Sequence, residues 1–227
     1  MLTEPLPRPP AAEHLSEPRQ IGKYRVLGKL GEGATSEVFL CRDDFAGRDV
    51  AVKLVRAAAL GDSLDSRSIG RFFAAEAALV GRLQHPNVVQ LLDAVADPIQ
   101  PYLVMEYVPG STLRPFCSPD QLLPLELIVE LAFKCAMALG YLARQGVVHR
   151  DVKPANLLLQ MTQGAITGVK ITDFGSALNL GSDLTHIDRV GSLAYVSPEQ
   201  LDGQRLDSRS DMYSLGGVLY YMFTRRL

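Results

Sequence analysis

The sequence predicts an α+β protein of two segregated lobes, with an antiparallel sheet first and helices after it. Three observations predict this. Runs dense in valine, leucine and aromatics between residues 24 and 55 are broken by glycine and aspartate clusters, the pattern of short strands joined by tight turns. Two further strand-like runs occupy 85–97 and 101–108. After Pro109-Gly110 the apolar residues recur at helical spacing instead. Strands followed by helices is the order expected when helices segregate from an antiparallel sheet.

Taken in order, residues 1–20 hold five prolines and few bulky apolar side chains. Such a segment cannot bury enough surface to offset its ordering entropy, so it reads as a disordered tail rather than a proline-rich ligand. A first lobe is expected over 21–106. YRVLGKL (24–30), EVFLCRD (37–43) and DVAVKLV (49–55) are its first three strands. A helix over 67–84 follows, with Ile69, Phe72, Phe73, Leu79, Val80 and Leu83 near one face. HPNVVQLLDAVAD and PYLVMEYV complete a five-stranded sheet, the former entered through a His-Pro-Asn turn. A second, mainly helical lobe is expected over 107–227. In it, 125–146 places Leu127, Ile128, Leu131, Cys135, Leu139 and Leu142 on one stripe, with Arg144 in the last turn and Gly146 as C-cap.

Composition excludes several classes. Hydrophobic residues at 47% and charged residues at 21% describe an ordinary globular chain, and a net charge of −2 gives no reason to expect nucleic acid or a membrane surface as partner. Cys41, Cys117 and Cys135 are widely spaced and form no C-x-x-C pair, so no zinc site is indicated and a reducing compartment fits. No run is long and apolar enough to span a membrane, and the N-terminus lacks a basic-then-apolar signal. A cytoplasmic location is expected.

Five segments carry chemistry. In LGEGATSEV (30–38), Leu30 precedes Gly31 and Gly33, whose bare backbone lets N–H groups approach a phosphate, although a hairpin also needs glycine. Ser36 replaces a third glycine and a strand follows, so this is neither a dinucleotide fingerprint nor a P-loop. Lys53 ends a strand in VAVK, and Glu76 sits mid-helix near the apolar face, where an inward carboxylate needs a cation. In HRDVKPAN (149–156), Asp151 suits proton acceptance, Lys153 suits a phosphoryl group in flight, and Asn156 offers an amide oxygen to a hard cation. Asp173 in VKITDFG adds a charged metal ligand, with Gly175 as the flexible residue behind it. Taken alone, Lys53 also reads as a solvated lysine at a strand end, and the segments at 149–156 and 173–175 as polar loops.

Together, in this order, the glycine loop, VAVK, Glu76, HRDVKPAN, DFG (173–175) and SPE (197–199) resemble the eukaryotic-type serine/threonine protein kinases in their bacterial form, over about residues 22–227. The resemblance implies a bilobal kinase fold. It implies a loop through Gly31 and Gly33 over the phosphates of ATP, with Lys53 on the α- and β-phosphates and paired to Glu76. Asp151 is the implied catalytic base, Lys153 the stabiliser of the moving phosphoryl, and Asn156 and Asp173 the ligands of Mg²⁺ (or Mn²⁺). Backbone groups of Glu106 and Val108 are implied to meet adenine, with Met105 as gatekeeper and Val38, Ala51 and Leu158 around the base. Lys153 and the 191–199 segment, with Ser192, imply serine and threonine acceptors on protein substrates. Arg150 implies control by activation-loop phosphate, with Thr185 the candidate acceptor and Ser182 behind it, although an unmodified Thr185 is an equal alternative. His149 and Phe174 read as packing residues.

The departures are Ser36 in the loop, Thr112 where an acidic residue often meets ribose, Ala155 where some kinases carry glutamate, and the end of the chain. The resemblance implies further helices after 207–227, the segment that carries Asp211 as brace of the catalytic loop. On this reading the second lobe is incomplete, Glu199 loses an arginine partner, and residues 218–223 (Val218, Leu219, Tyr220, Tyr221, Met222 and Phe223) are left as an exposed apolar patch. An inactive fragment or nucleotide-binding scaffold is therefore the alternative to an active kinase. A small-molecule phosphotransferase fits less well, because 191–199 is a peptide-substrate feature.

Overall fold

The computed structural model describes residues 19–33, 36–55, 81–97, 100–174 and 193–224. The first sheet contains β1 (Gln20–Ile21), β2 (Tyr24–Glu32), β3 (Ser36–Asp43), β4 (Arg48–Val55), β5 (Leu91–Val95) and β6 (Tyr102–Glu106). They lie in the order β1-β2-β3-β4-β6-β5, every pairing antiparallel. The sheet thus has six strands rather than five. A two-residue strand is too short to show alternation, and β1 depends on a turn in which Gly22 takes φ 54°. A Cβ there would collide with the Tyr102 hydroxyl. Gln20, assigned to the tail by composition, pairs with Arg25; residues 1–18 lie outside the described residues.

Cross-strand register sorts the side chains of this sheet onto two faces. Phe39 stands opposite Val52, Cys41 opposite Val50, and Val52 opposite Val104. With Ile21, Tyr24, Leu54 and Tyr102 they form a small buried core. The other face carries Val38 opposite Lys53, and Ala51 opposite Met105. One lysine therefore shares its face with apolar residues and looks toward the second lobe. Of the helix expected over 67–84, residues 67–80 lie outside the described residues, and 81–84 are turn and coil with Leu83 buried.

The second lobe contains α1 (Leu125–Arg144), α2 (Pro198–Leu201) and α3 (Ser208–Thr224). The α1 stripe is buried as predicted at Ile128, Leu131, Cys135, Leu139 and Leu142, with Leu127 packed at its edge. Gly146 at φ 72° ends it: Gly146 N–H reaches the Ala143 carbonyl at 3.0 Å, and Val147 N–H reaches Leu142 at 2.9 Å. That pair of bonds is a Schellman cap, and it turns the chain directly into the loop at 149. Burial pushes the Cys135 thiol up to about 12 and Cys41 to about 11, so neither supplies a thiolate nucleophile at neutral pH.

Besides helices, the lobe holds a three-stranded antiparallel sheet of β7 (Gly110–Thr112), β8 (Leu157–Thr162) and β9 (Ala165–Ile171). The LLL run and the strand before Asp173 are visible in the sequence as separate strands, but their pairing is not. It is made by a two-residue turn with positive φ at Gln163 (51°) and Gly164 (82°). Leu157, Leu159, Val169 and Ile171 point into the main core with α1 and α3.

The apolar end of α3 departs from expectation. Val218 and Met222 are buried against this core, Leu219 and Tyr221 pack beside it, and Tyr220 and Phe223 are exposed. Helical periodicity explains the split: residues four apart share the inward face. Among the described residues, no helix is long and apolar enough to cross a membrane.

Candidate active site

The first sheet meets β9 through the His-Pro-Asn turn. Val89 N–H donates to the Ile171 carbonyl and Ile171 N–H to that of Asn87, both at 2.9 Å, and Asn87 Nδ2 donates to Val169 at 2.8 Å. The run 85–97 is consequently a turn, a docking segment and a short strand rather than one long strand. Beside it, Lys170 Nζ on β9 lies 2.7 Å from Glu106 Oε1 at the end of β6, and the same oxygen accepts from Gln90 N–H at 2.8 Å. These contacts place the end of β9 beneath the face of β4 that carries Lys53.

Lys53 Nζ there lies 2.5 Å from Asp173 Oδ1, two residues past β9, with the two side chains 15% and 39% exposed. Glu76, the partner expected for Lys53, is outside the described residues. A lysine can reach more than one carboxylate, and sequence order alone does not rank them. Asp173 has φ 67°, a left-handed conformation that side-chain-bearing residues seldom adopt. Arg150, at φ 68°, is another of the few such residues described. Strained backbone persists where surrounding bonds over-determine it, and both residues lie in this junction.

The loop 149–156 is fixed from below by α3. Asp211, 2% exposed, accepts from His149 N–H and Arg150 N–H, each at 2.7 Å. Burial pushes its carboxyl above the usual range, and neighbouring His149 and these two N–H bonds pull it back. His149 is wholly buried, its Nε2 lies 3.0 Å from the Thr172 carbonyl, and its ring meets Phe174 edge-on at 5.1 Å. Both aromatic residues are packed, as the sequence suggests. Thr172 N–H in turn donates to the Asn156 carbonyl at 3.0 Å, which brings 156 and 173 together.

Asp151 stands above this base. Lys153 Nζ is 2.8 Å from its Oδ2, and Asn156 Nδ2 donates to the same Oδ2 at 2.9 Å and to the Asp151 carbonyl at 2.8 Å. Asn156 thereby commits its NH₂ group, so the atom it offers elsewhere is the amide oxygen. Among the described residues, no group of three or more His, Cys, Asp or Glu stands as a ready metal cage. One carboxylate and one amide oxygen nonetheless suit Mg²⁺, which takes one or two protein ligands and fills the rest with water and phosphate oxygens.

Residues 24–227 match the family described as the protein kinase domain. The chain belongs to the protein kinase domain family. It is 40% identical over 221 residues to a probable serine/threonine-protein kinase of Streptomyces coelicolor, covering 93% of this chain and 32% of that one. It is 39% identical over 220 residues to the serine/threonine-protein kinase PknB of Mycobacterium leprae, covering 93% and 33%. A probable serine/threonine-protein kinase of Clostridium perfringens is 40% identical over 204 residues, covering 89% and 29%. The chain thus spans about a third of the length of these curated relatives.

In this kinase domain, several of the residues singled out by sequence lie where the first sheet meets the second lobe. Lys53, Asp151, Lys153, Asn156 and Asp173 are joined by the ion pairs and bonds above. Val38, Ala51 and Met105 share the sheet face with Lys53, and Leu158 lies on β8 opposite Lys170 and Thr112. Gly33 N–H closes the glycine turn on the Ser36 carbonyl at 2.8 Å, while Gly31 pairs with Val38 and Leu30 is exposed beside it. Gly175, Ser182, Thr185 and Ser192 lie outside the described residues.

Three contacts of the kinase domain were not legible in the sequence. Lys170 bridges to Glu106, and only its place mid-strand between Val169 and Ile171 marks it. Glu199 is bound by Ser210 Oγ at 2.5 Å, which draws its carboxyl below the usual range. Gln200 Nε2 donates to the Arg150 carbonyl at 2.8 Å.

Proposed function

We propose that the chain is the catalytic domain of a protein kinase that transfers the γ-phosphoryl group of ATP to serine and threonine hydroxyls of protein substrates. The observation that carries this reading is the convergence of Lys53, Asp173, Asp151, Lys153 and Asn156 where the two lobes join. The match to serine/threonine-protein kinases over nine-tenths of the chain supports the same substrate class. A cytoplasmic setting for the domain is part of the proposal.

Each residue then has a physical task. Val38, Ala51 and Leu158 exclude water from the faces of adenine. Glu106 N–H donates to the Gln90 carbonyl, and the Glu106 carbonyl and the Val108 N–H are assigned to the base edge. The turn at Gly31 and Gly33 approaches the phosphates without side-chain obstruction. Lys53 is held in place by Asp173 and presents its ammonium to phosphate oxygens. Asp151 accepts the proton from the attacking hydroxyl, and Lys153, already beside it, neutralises charge on the group in transit. Asn156 and Asp173 would hold Mg²⁺, which supplies charge neutralisation across the phosphates when bound. Catalysis on this reading is positioning and electrostatics, with no covalent enzyme intermediate.

The test is to incubate the full chain with γ-labelled ATP, Mg²⁺ and a general protein substrate, then hydrolyse the product and separate phosphoamino acids. Label in phosphoserine and phosphothreonine is expected. Label in phosphotyrosine would overturn the substrate class, label only in small molecules would point to a different phosphotransferase, and absence of transfer would favour the scaffold alternative.

A further inference from the structure

We propose that Gln200 is a positioning residue: its side-chain amide fixes the peptide unit that carries Asp151 and ties it to the segment 197–200. The proposal deepens the reading of Asp151 as proton acceptor and rests on it.

The starting point is the backbone at Arg150. With φ at 68°, this residue turns its N–H and its carbonyl toward different neighbours. The N–H side is taken by Asp211, which also holds the N–H of His149. The carbonyl side is taken by Gln200 Nε2 at 2.8 Å. Asp211 belongs to α3 and Gln200 to α2, so two separate elements grip one residue from both ends. The next N–H, that of Asp151, has only a longer contact, 3.3 Å to His149 Nδ1. Rotation of the 150–151 peptide would swing the Asp151 side chain away from Lys153 and Asn156, and the Gln200 bond opposes that rotation.

A simpler role for Gln200 exists and makes a different demand. Gln200 is the third residue of α2, and its Oε1 faces Ser197 N–H at 3.4 Å and Ser197 Oγ at 3.3 Å, closing a capping box. A capping box uses only the side-chain oxygen, so glutamate serves it as well as glutamine. The bond to Arg150 uses the NH₂ group, which glutamate lacks. Glutamate would instead set a carboxylate against a carbonyl oxygen. Both halves of the amide are therefore employed: the oxygen stabilises the local turn, and the nitrogen reaches the catalytic loop. Because α2 continues the segment implied to face the substrate hydroxyl, the element next to the substrate also steadies the base.

Gln200→Glu separates the two roles, and Gln200→Met removes both. In the full chain, each is measured for single-turnover phosphoryl transfer, KM for ATP, melting temperature and hydrogen exchange of the amides at 149–151, beside wild type and Asp151→Asn. The expected result for Gln200→Glu is a kcat lower by about tenfold, the scale of one lost hydrogen bond, with KM for ATP changed by less than about twofold. Melting should fall by no more than about 2–4 °C, and exchange at 149–151 should quicken. Gln200→Met should show the same kinetic loss with a larger fall in melting. Wild-type kcat and unchanged exchange in Gln200→Glu would reduce Gln200 to a capping residue and overturn the proposal. Full activity of Asp151→Asn would overturn it also, by removing the base that it positions. Should wild type itself transfer no phosphate, the kinase reading is what has failed; faster exchange in Gln200→Glu then still upholds the clamp, and unchanged exchange rejects it.

Discussion

Asp151→Asn is expected to lower kcat for transfer to a serine- or threonine-containing protein by about 10²–10⁴-fold, the range of a lost general base. ATP affinity should remain within about twofold. The substitution is nearly isosteric, and asparagine retains an oxygen that accepts from Asn156 Nδ2, now at 2.9 Å from the carboxylate. It removes the negative charge that faces Lys153 at 2.8 Å and the group able to take a proton from the incoming hydroxyl. On the proposed reading, nucleotide binding relies on Lys53 and the first sheet, which the change does not touch. Rapid-quench transfer and titration with a fluorescent nucleotide analogue check the two halves separately. A variant with nearly wild-type kcat would mean that proton removal contributes little, or occurs elsewhere.

Asp211→Ala should be the most damaging substitution away from the reacting groups. The carboxylate is 2% exposed and accepts two backbone N–H bonds at 2.7 Å. Alanine strands both donors in a buried site, which costs about 3 kcal/mol of stability, a figure governed by the penalty for unsatisfied buried groups. Asp211→Asn keeps one acceptor and should lose less. Urea unfolding gives the stability change, and kcat of the folded fraction reports the loosened loop. A loss of stability without a loss of kcat would show that Asp211 holds the lobe together but not the geometry of Asp151.

The contrast between these residues explains how much could be read from sequence. Residue type and order identify groups that act through chemistry. Asp151, Lys153, Asn156 and Asp173 stand out in the sequence because the proposed phosphoryl transfer calls for a base, a cation and hard oxygen ligands at set places. The α1 stripe and strands β2, β3, β4 and β6 are legible because burial imposes periods of 3.6 and 2. What escaped depends on tertiary approach instead. β1 is two residues long and has no period to detect. The pairing of β8 with β9 depends on two positive φ angles, at Gln163 and Gly164. The partnership of Lys53 with Asp173 arises because Asn87, Val88 and Val89 dock on β9, which composition does not encode. Residues 218–223 read in sequence as one apolar patch, whereas helical geometry turns Val218 and Met222 inward and leaves Tyr220 and Phe223 outside.

The two carboxylates of the cleft also illustrate why strain and function coincide here. Asp173 and the residue before Asp151 both adopt left-handed backbone, each costing about 1–3 kcal/mol. In both places neighbouring hydrogen bonds hold the conformation: Thr172 N–H on Asn156, and Arg150 between Asp211 and Gln200. On the proposed reading, the cost orients the carboxylates in advance, so less reorganisation is left for the moment of transfer.

The central claim is that one cleft between the lobes binds nucleotide and carries out the transfer. Hydrogen exchange of the full chain, with and without saturating ATP and Mg²⁺, tests it most directly, because it needs no knowledge of the protein substrate. Slower exchange is expected at 31–33, 106–108, 151–156 and 172–174, with α1 unchanged. Protection confined to other surfaces, or nucleotide binding that leaves 151–156 and 172–174 unprotected, would contradict it.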